Sequence, residues 1–292
     1  MKIGLVGLGR MGAGIAERLR RDGHEVVGYD QNPAISQVRS IEELVRGLPS
    51  PHVVWVMVPA GGATLATVEE LASMMSVGDI IIDGGNSYYK DSMRLAAQLK
   101  QKGINLMDVG TSGGVWGLSE GFSLMAGGER AAYHQIEPLL KTLAPSPDAG
   151  YGYMGPSGAG HFVKMVHNGI EYGLMQAYAE GFELLEAKKE FGFDLQQVAD
   201  VWRSGSVVRS WLLDLASQAL KEDPGLQKLD SYVDDSGEGR WTVQESVELA
   251  VPAPVISSAL QARFRSRQER PFGGRLLAAL RNQFGGHAVR ER

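Results

Sequence analysis

Six residues near the start, Gly7-Leu8-Gly9-Arg10-Met11-Gly12, constrain the fold more than any other stretch. They follow a short apolar run, Lys2 to Leu8, and open a helical pattern that extends to about Arg21. In that strand-to-helix setting the spacing is the dinucleotide fingerprint G-x-G-x-x-G. Gly7 permits a tight turn, Gly9 lets a pyrophosphate approach the backbone, and Gly12 lets helix and strand pack closely. The helix N-terminus then stabilises phosphate charge. A second run, Glu25 to Tyr29, ends at Asp30, 18 positions after Gly12. A carboxylate there accepts the ribose hydroxyls of NAD and repels a 2′-phosphate. Without its surroundings the glycine spacing would be an ordinary structural turn; strand, helix and acid together set that reading aside.

Further apolar runs at Val53 to Val58, Asp79 to Asp83 and Ile104 to Val109 alternate with helical stretches at about Thr64 to Met75 and Tyr88 to Lys102. Short buried strands alternating with helices predict a parallel, doubly wound α/β sheet of the Rossmann type. Val58 and Pro59, where the third strand ends, join the expected cofactor set. Glycine clusters close the fourth and fifth strands, as Asp83-Gly84-Gly85-Asn86-Ser87 and Gly110-Thr111-Ser112-Gly113-Gly114. Ligands of open α/β sheets bind beyond the carboxyl ends of the strands. Asn86 and Ser112 offer hydrogen bonds there, and the glycine amides can hold a carboxylate. Each cluster taken singly is also ordinary turn chemistry.

After Gly160 the period changes to helical, with patterns at His161 to Lys188, Asp194 to Arg203, Ser210 to Leu220, Thr242 to Leu249, Val255 to Arg265 and Gly274 to Asn282. A Tyr151 to Gly160 loop divides the expected domains, a dinucleotide-binding domain at 1–159 and an all-helical substrate and oligomerisation domain at 160–292. Lys221 to Gly239 is polar and reads as a loop. On the first long helix, Lys164, His167, Asn168, Glu171 and Tyr172 fall on one side at about 100° per residue. A base, an acid, an amide and a phenol would face one space, as paired proton transfers require; a solvated stripe with a surface Lys–Glu pair is the plain alternative.

Cysteine is absent, which removes disulfides, thiolate catalysis and Cys-based metal sites. No run of about 18 apolar residues occurs, and the N-terminus lacks a basic-then-apolar export signal; a soluble cytoplasmic protein is expected. The net charge of −5 is uneven. From Leu260 to Arg292 eight Arg face two Glu, giving +6, so the remainder carries −11. A basic tail suits an anionic ligand or nucleic acid, but it lacks the aromatic interleaving of a nucleic-acid module.

These residues, with Gly239-Arg240-Trp241-Thr242, Ala262-Arg263-Phe264 and Arg281-Asn282-Gln283-Phe284-Gly285-Gly286-His287, resemble the decarboxylating 6-phosphogluconate dehydrogenases in their short-chain form. The glycine motif, Asn86, Ser112-Gly113-Gly114 and the lysine belong to the wider β-hydroxyacid dehydrogenase superfamily. His167-Asn168, Glu171-Tyr172 and the Phe284 to His287 tail are narrower signals. The resemblance implies oxidation of 6-phosphogluconate at C3, loss of CO2 and formation of ribulose 5-phosphate in the pentose phosphate pathway and gluconate utilisation. NAD is the expected cofactor, with NADP as the lesser one, and no metal is implied because the ketone β to the carboxylate is itself an electron sink. Lys164 would be general base and then acid, and so must be neutral for its first task. Glu171 would deliver the proton to the enediol, with Asn168 and His167 orienting substrate and nicotinamide. Ser112, Gly113 and Gly114 would hold the carboxylate, Asn86 a sugar hydroxyl, and Tyr172, Arg263, Arg281 and His287 the far phosphate. The tail would complete the site of a neighbouring subunit in a homodimer or tetramer. Long-chain relatives read Lys-Gly-Thr-Gly-Lys-Trp-Thr where this chain has Ser236 to Thr242, so Ser236 and Glu238 replace a phosphate-facing lysine and threonine. A non-decarboxylating β-hydroxyacid dehydrogenase and a non-catalytic NAD-binding protein are the alternatives.

Overall fold

The computed structural model describes residues 1–290. The chain forms two compact units, Met1–Asn168 and Gly169–Arg292.

The first unit is built on a seven-stranded sheet: β1 (Lys2–Val6), β2 (Glu25–Tyr29), β3 (Val53–Val56), β4 (Ile80–Asp83), β5 (Asn105–Ser112), β6 (Ser123–Gly127) and β7 (Tyr151–Gly155), in the order β2-β1-β3-β4-β5-β6-β7. The pairs from β2 to β5 are parallel, as the alternation predicted. β5 and β6 pair antiparallel, so the sheet is mixed where a purely parallel one was expected. Tyr151–Gly155, expected as loop, is the strand β7, parallel to β6.

Two layers cover the sheet, because alternate strand residues point to opposite faces. Ile3, Leu5, Trp55, Ile80 and Ile82 pack with Ile15 and Leu19 of α1 (Arg10–Arg21) and with Ile136, Leu139 and Leu140 of α6 (Arg130–Leu143). Val54, Val56 and Ile81 pack on the other face with α2 (Ile41–Arg46), α3 (Gly62–Met74) and α4 (Tyr89–Lys100), through Leu44, Leu71, Leu95 and Leu99. Each fully buried aliphatic side chain contributes about 1.5–3 kcal/mol, so this core is the main stabilising element of the unit. A short α5 (Gly117–Glu120) follows β5.

The long helix α7 (Ala159–Ala187) starts in the first unit and continues into the second. The second unit adds α8 (Leu195–Arg203), α9 (Trp211–Glu222), α10 (Glu238–Glu248), α11 (Pro254–Ser266) and α12 (Phe272–Gly285). Asp194 and Ser210 cap α8 and α9 by accepting from Gln197 N and Leu213 N. A small cluster of Tyr172, Ala259 and Leu260 forms its core. α12 buries none of its residues and leaves Phe272, Leu277, Leu280 and Phe284 exposed. Among the described residues no helix is long and apolar enough to cross a membrane.

Candidate active site

The glycine loop has the geometry that a pyrophosphate needs. Gly7 holds φ +95°, and a Cβ there would lie 2.5 Å from the Met57 carbonyl oxygen. A Cβ on Gly12 would collide with the Gly7 carbonyl oxygen, so helix and strand touch at that point. Above Gly9 nothing lies within 4 Å. Gly9 is the N-cap of α1, no side chain caps that end, and no acidic residue occupies its first turn. The first-turn N–H groups are therefore left for an anion. Leu8 packs on Gly28 and Met11 on the core, while Arg10 lines a cavity of about 560 Å³ with Ile35, Gln37, Val115 and Leu118.

Asp30 lies beside this loop. One carboxylate oxygen accepts from Leu8 N at 2.7 Å and the other from Asn32 N at 2.8 Å. Each oxygen keeps acceptor capacity for a ribose hydroxyl. Val58 joins the neighbouring loops: its Cγ1 is 3.3 Å from the Cβ position of Gly7, and its carbonyl oxygen 3.3 Å from that of Gly85. The Pro59 carbonyl accepts from Thr64 Oγ1. The ends of β1, β3 and β4 thus converge. Asn86 is exposed at that edge. Below it Gly84 packs so tightly that a Cβ would strike the indole nitrogen of the fully buried Trp55.

At the end of β5, Ser112 is half-buried and Gly113 and Gly114 hold φ +140° and +53°. Two residues earlier, Gly110 lies against α7: a Cβ there would collide with Lys164 Cβ. Lys164 is 7% exposed and Asn168 8%. His167 Nδ1 and Asn168 Oδ1 share a 2.9 Å hydrogen bond. Lys164, His167 and Asn168 therefore share the first unit with the cofactor loop and Ser112.

In the second unit Glu171 is half-buried on α7, next to buried Tyr172. The Tyr172 hydroxyl accepts from Ser236 N at 3.1 Å and shares a 3.4 Å hydrogen bond with Ser236 Oγ. The Arg263 guanidinium stacks 3.5 Å from the Tyr172 ring centroid and donates to the Asp234 carbonyl; its fork has donors beyond these contacts. Arg240, in the same altered stretch, is engaged by a carboxylate. It is held by Asp235 at 2.5 Å, and with Arg267 it keeps the Asp235 carboxyl below its ordinary value. Glu238 is 2% exposed, and neither of its carboxylate oxygens has a hydrogen-bond partner among the described residues. Arg281 and His287 are not brought into this cluster. Both are exposed, one on α12 and one just beyond it, where Asn282 Nδ2 donates to the His287 carbonyl.

Sequence reasoning missed Asp108 and His161. Asp108 is fully buried on β5 and accepts from Gly158 N and His161 N. Its signal was a carboxylate inside the apolar run Leu106-Met107-Asp108-Val109.

Residues 2–155 match the family profile of the NAD binding domain of 6-phosphogluconate dehydrogenase. Residues 160–283 match that of the 6-phosphogluconate dehydrogenase C-terminal domain. A Haloferax volcanii protein named NAD(+)-dependent, decarboxylating 6-phosphogluconate dehydrogenase is 44% identical over 299 residues, covering 99% of this chain and 98% of that protein. The NADP(+)-dependent, decarboxylating enzyme of Bacillus subtilis is 35% identical, with 95% of this chain and 64% of that one covered. The solved Plasmodium falciparum 6-phosphogluconate dehydrogenase, studied with NADP+ and with 6-phosphogluconate, superposes with TM-score 0.83 at 28% identity, over 100% of this chain and 66% of that one.

Proposed function

The chain belongs to the 6-phosphogluconate dehydrogenase family, and from that premise we propose that it oxidises and decarboxylates 6-phosphogluconate to ribulose 5-phosphate and CO2. The observation that carries this reading is the burial of Lys164 against Gly110, on the strand that ends in Ser112-Gly113-Gly114. A buried amine beside a carboxylate-binding turn suits proton transfer at a carbon β to that carboxylate. NAD, when bound at the glycine loop, supplies the hydride acceptor for C3. Lys164 takes the proton of the C3 hydroxyl as the hydride leaves. The same group, now an ammonium, donates to the ketone oxygen while the carbon–carbon bond to the carboxylate breaks, and that bond's electron pair moves into an enediol. Glu171 gives the proton that converts the enediol to the ketopentose. Asn168 and His167 orient the hydroxyl and the nicotinamide, and Asn86 a sugar hydroxyl. Asp30 supports NAD over NADP, since neither Gln31 nor Asn32 offers a cation to a 2′-phosphate.

Tyr172 and Arg263 are the phosphate donors on this reading. Arg281 and His287 complete the site of a second copy in a homo-oligomer. The exposed apolar residues of α12 support such an assembly, because a face of that kind is covered in a stable protein. The buried Glu238 favours a second reading, a β-hydroxyacid dehydrogenase for an unphosphorylated substrate that keeps its carboxylate, because a lone carboxylate near the Tyr172 cluster opposes a phosphate dianion. Carboxyl-labelled 6-phosphogluconate separates the two. The first reading requires labelled CO2 equal to the NADH formed; no NADH from 6-phosphogluconate, with NADH but no CO2 from an unphosphorylated β-hydroxyacid, establishes the second.

A further inference from the structure

Resting on the assignment of Lys164 as proton carrier, we propose that Asp108 is a positioning residue for Lys164, fixing the first turn of α7 against β5 and so the point from which the lysine leaves the helix. The Asp108 carboxylate accepts from Gly158 N at 2.7 Å and from His161 N at 2.9 Å. It therefore takes up N–H groups that a helix start leaves without partners. Lys164 follows three residues after His161, on the same side of the helix. The approach is close throughout. A Cβ on Gly160 would collide with the carbonyl oxygens of Asp108 and Met125, one on Gly127 would lie 2.8 Å from both Asp108 carboxylate oxygens, and one on Gly110 would collide with Lys164 itself. Three glycines thus let α7 press onto the strands, and one carboxylate sets its rotation. The His161 side chain adds a second tie. Its ring is buried, and Nδ1 shares a 2.7 Å hydrogen bond with Ser92 Oγ of α4.

This arrangement costs stability. Burial pushes the Asp108 carboxyl above its ordinary value, against the opposing pull of the His161 ring and the two N–H donors. In the window from the unfolded carboxyl value of about 3.9 up to that raised value, the folded chain holds more protons than the unfolded one, so stability falls as pH rises through it. A carboxyl kept in that setting, bonded to the helical turn that precedes Lys164, fits a site in which geometry takes precedence over stability.

The test uses the full-length chain with Asp108→Asn, which removes the charge and can satisfy only one of the two N–H groups. The expected result is a fall in kcat of about 10²-fold, the scale of an ångström-sized misplacement, with KM for 6-phosphogluconate and Kd for NAD little changed and the protein still folded at the assay temperature. A second readout needs no substrate. The pH-dependent rate at which pyridoxal 5′-phosphate with borohydride modifies Lys164, read by peptide mass, should shift several-fold, while the exposed Lys100 keeps its rate. Equal Lys164 labelling in variant and wild type overturns the proposal, as does a loss of kcat that merely tracks loss of folded protein. If Asp108→Asn fails to fold, Asp108→Ser carries the test, since it fits the same space and keeps at most one acceptor for the two N–H groups; a shifted Lys164 labelling profile supports the proposal and an unchanged one overturns it. Wild-type protein that does not turn over 6-phosphogluconate refutes the functional reading alone, and the labelling comparison still decides the role of Asp108.

Discussion

On the reading that Asp30 favours NAD, replacing it with alanine should shift the choice of cofactor towards NADP. The carboxylate holds Leu8 N and Asn32 N at 2.7 and 2.8 Å. Losing those bonds loosens the loop for either cofactor and cancels in a ratio. Two contributions do not cancel. A charge-assisted hydrogen bond to the ribose hydroxyls is worth about 1.5–3 kcal/mol, and only NAD loses it. Two unit charges at 4 Å repel by about 4 kcal/mol at an effective dielectric constant of 20. Asp30 is only half-buried, so solvent reduces that repulsion to about 2 kcal/mol, and only NADP gains its removal. Together the ratio of kcat/KM for NAD over NADP should fall by between about 10²- and 10⁴-fold. Asp30→Asn separates the two contributions, since it removes the charge but keeps an acceptor, and its ratio should lie between wild type and alanine. The assay is initial NADH or NADPH formation at matched ionic strength. Raising salt should narrow the wild-type preference. A wild-type ratio in the alanine variant, or a preference insensitive to salt, would refute the electrostatic reasoning.

Lys164→Met should lower turnover by at least about 10²-fold while NAD binding, measured by fluorescence titration, persists. Glu171→Gln should reduce kcat more than it raises KM, as steady-state kinetics with labelled CO2 release will read. Mixing inactive Lys164→Met and inactive Arg281→Ala subunits should restore activity on exchange if the tail serves a second copy; verified exchange without recovery places the tail in its own subunit's site. The His24 ring sits below its ordinary value, chiefly through burial and then through the adjacent N-terminal ammonium. The unfolded chain therefore binds the proton more readily, and stability is lost as pH falls below about 6.5. His24→Gln should flatten that part of a melting-temperature profile.

Much of the first unit was legible because its cues are local. Gly7, Gly9 and Gly12 play three different parts within six residues, and a strand of Val, Ile and Trp declares itself without reference to its partners. β6 escaped because Ser123–Gly127 is short and runs into Gly128, and α6 because Pro138 interrupts its pattern. The division of the chain was placed at a loop by composition. The two family profiles also part there, at residues 155 and 160; by contact the compact units part within α7, because Gly110, Gly127 and Gly160 bind its first turns to the sheet. Helical spacing alone groups Lys164, His167, Asn168, Glu171 and Tyr172 on one side of α7. The contact of Asp108 with Gly158 spans 50 residues, and no local pattern announces a pairing at that distance. Ser236 and Glu238 were visible as departures, but the burial of Glu238 was not, since it depends on how α10 meets its neighbours. Arg281 and His287 were legible only as a motif, and both are exposed on or just beyond α12.

The contact between Gly84 and Trp55 makes the protein its own optical probe. Of the five tryptophans Trp55 alone is fully buried, Trp202 and Trp241 are half-buried, and Trp116 and Trp211 are exposed. The Trp55 indole therefore emits from an apolar setting, away from aqueous quenchers, and it touches the loop that carries Asn86. Reduced nicotinamide absorbs where a buried indole emits, so energy transfer from Trp55 would fall as product leaves. Dissociation of NADH could then be timed in the unmodified protein, with no dye attached and no residue replaced.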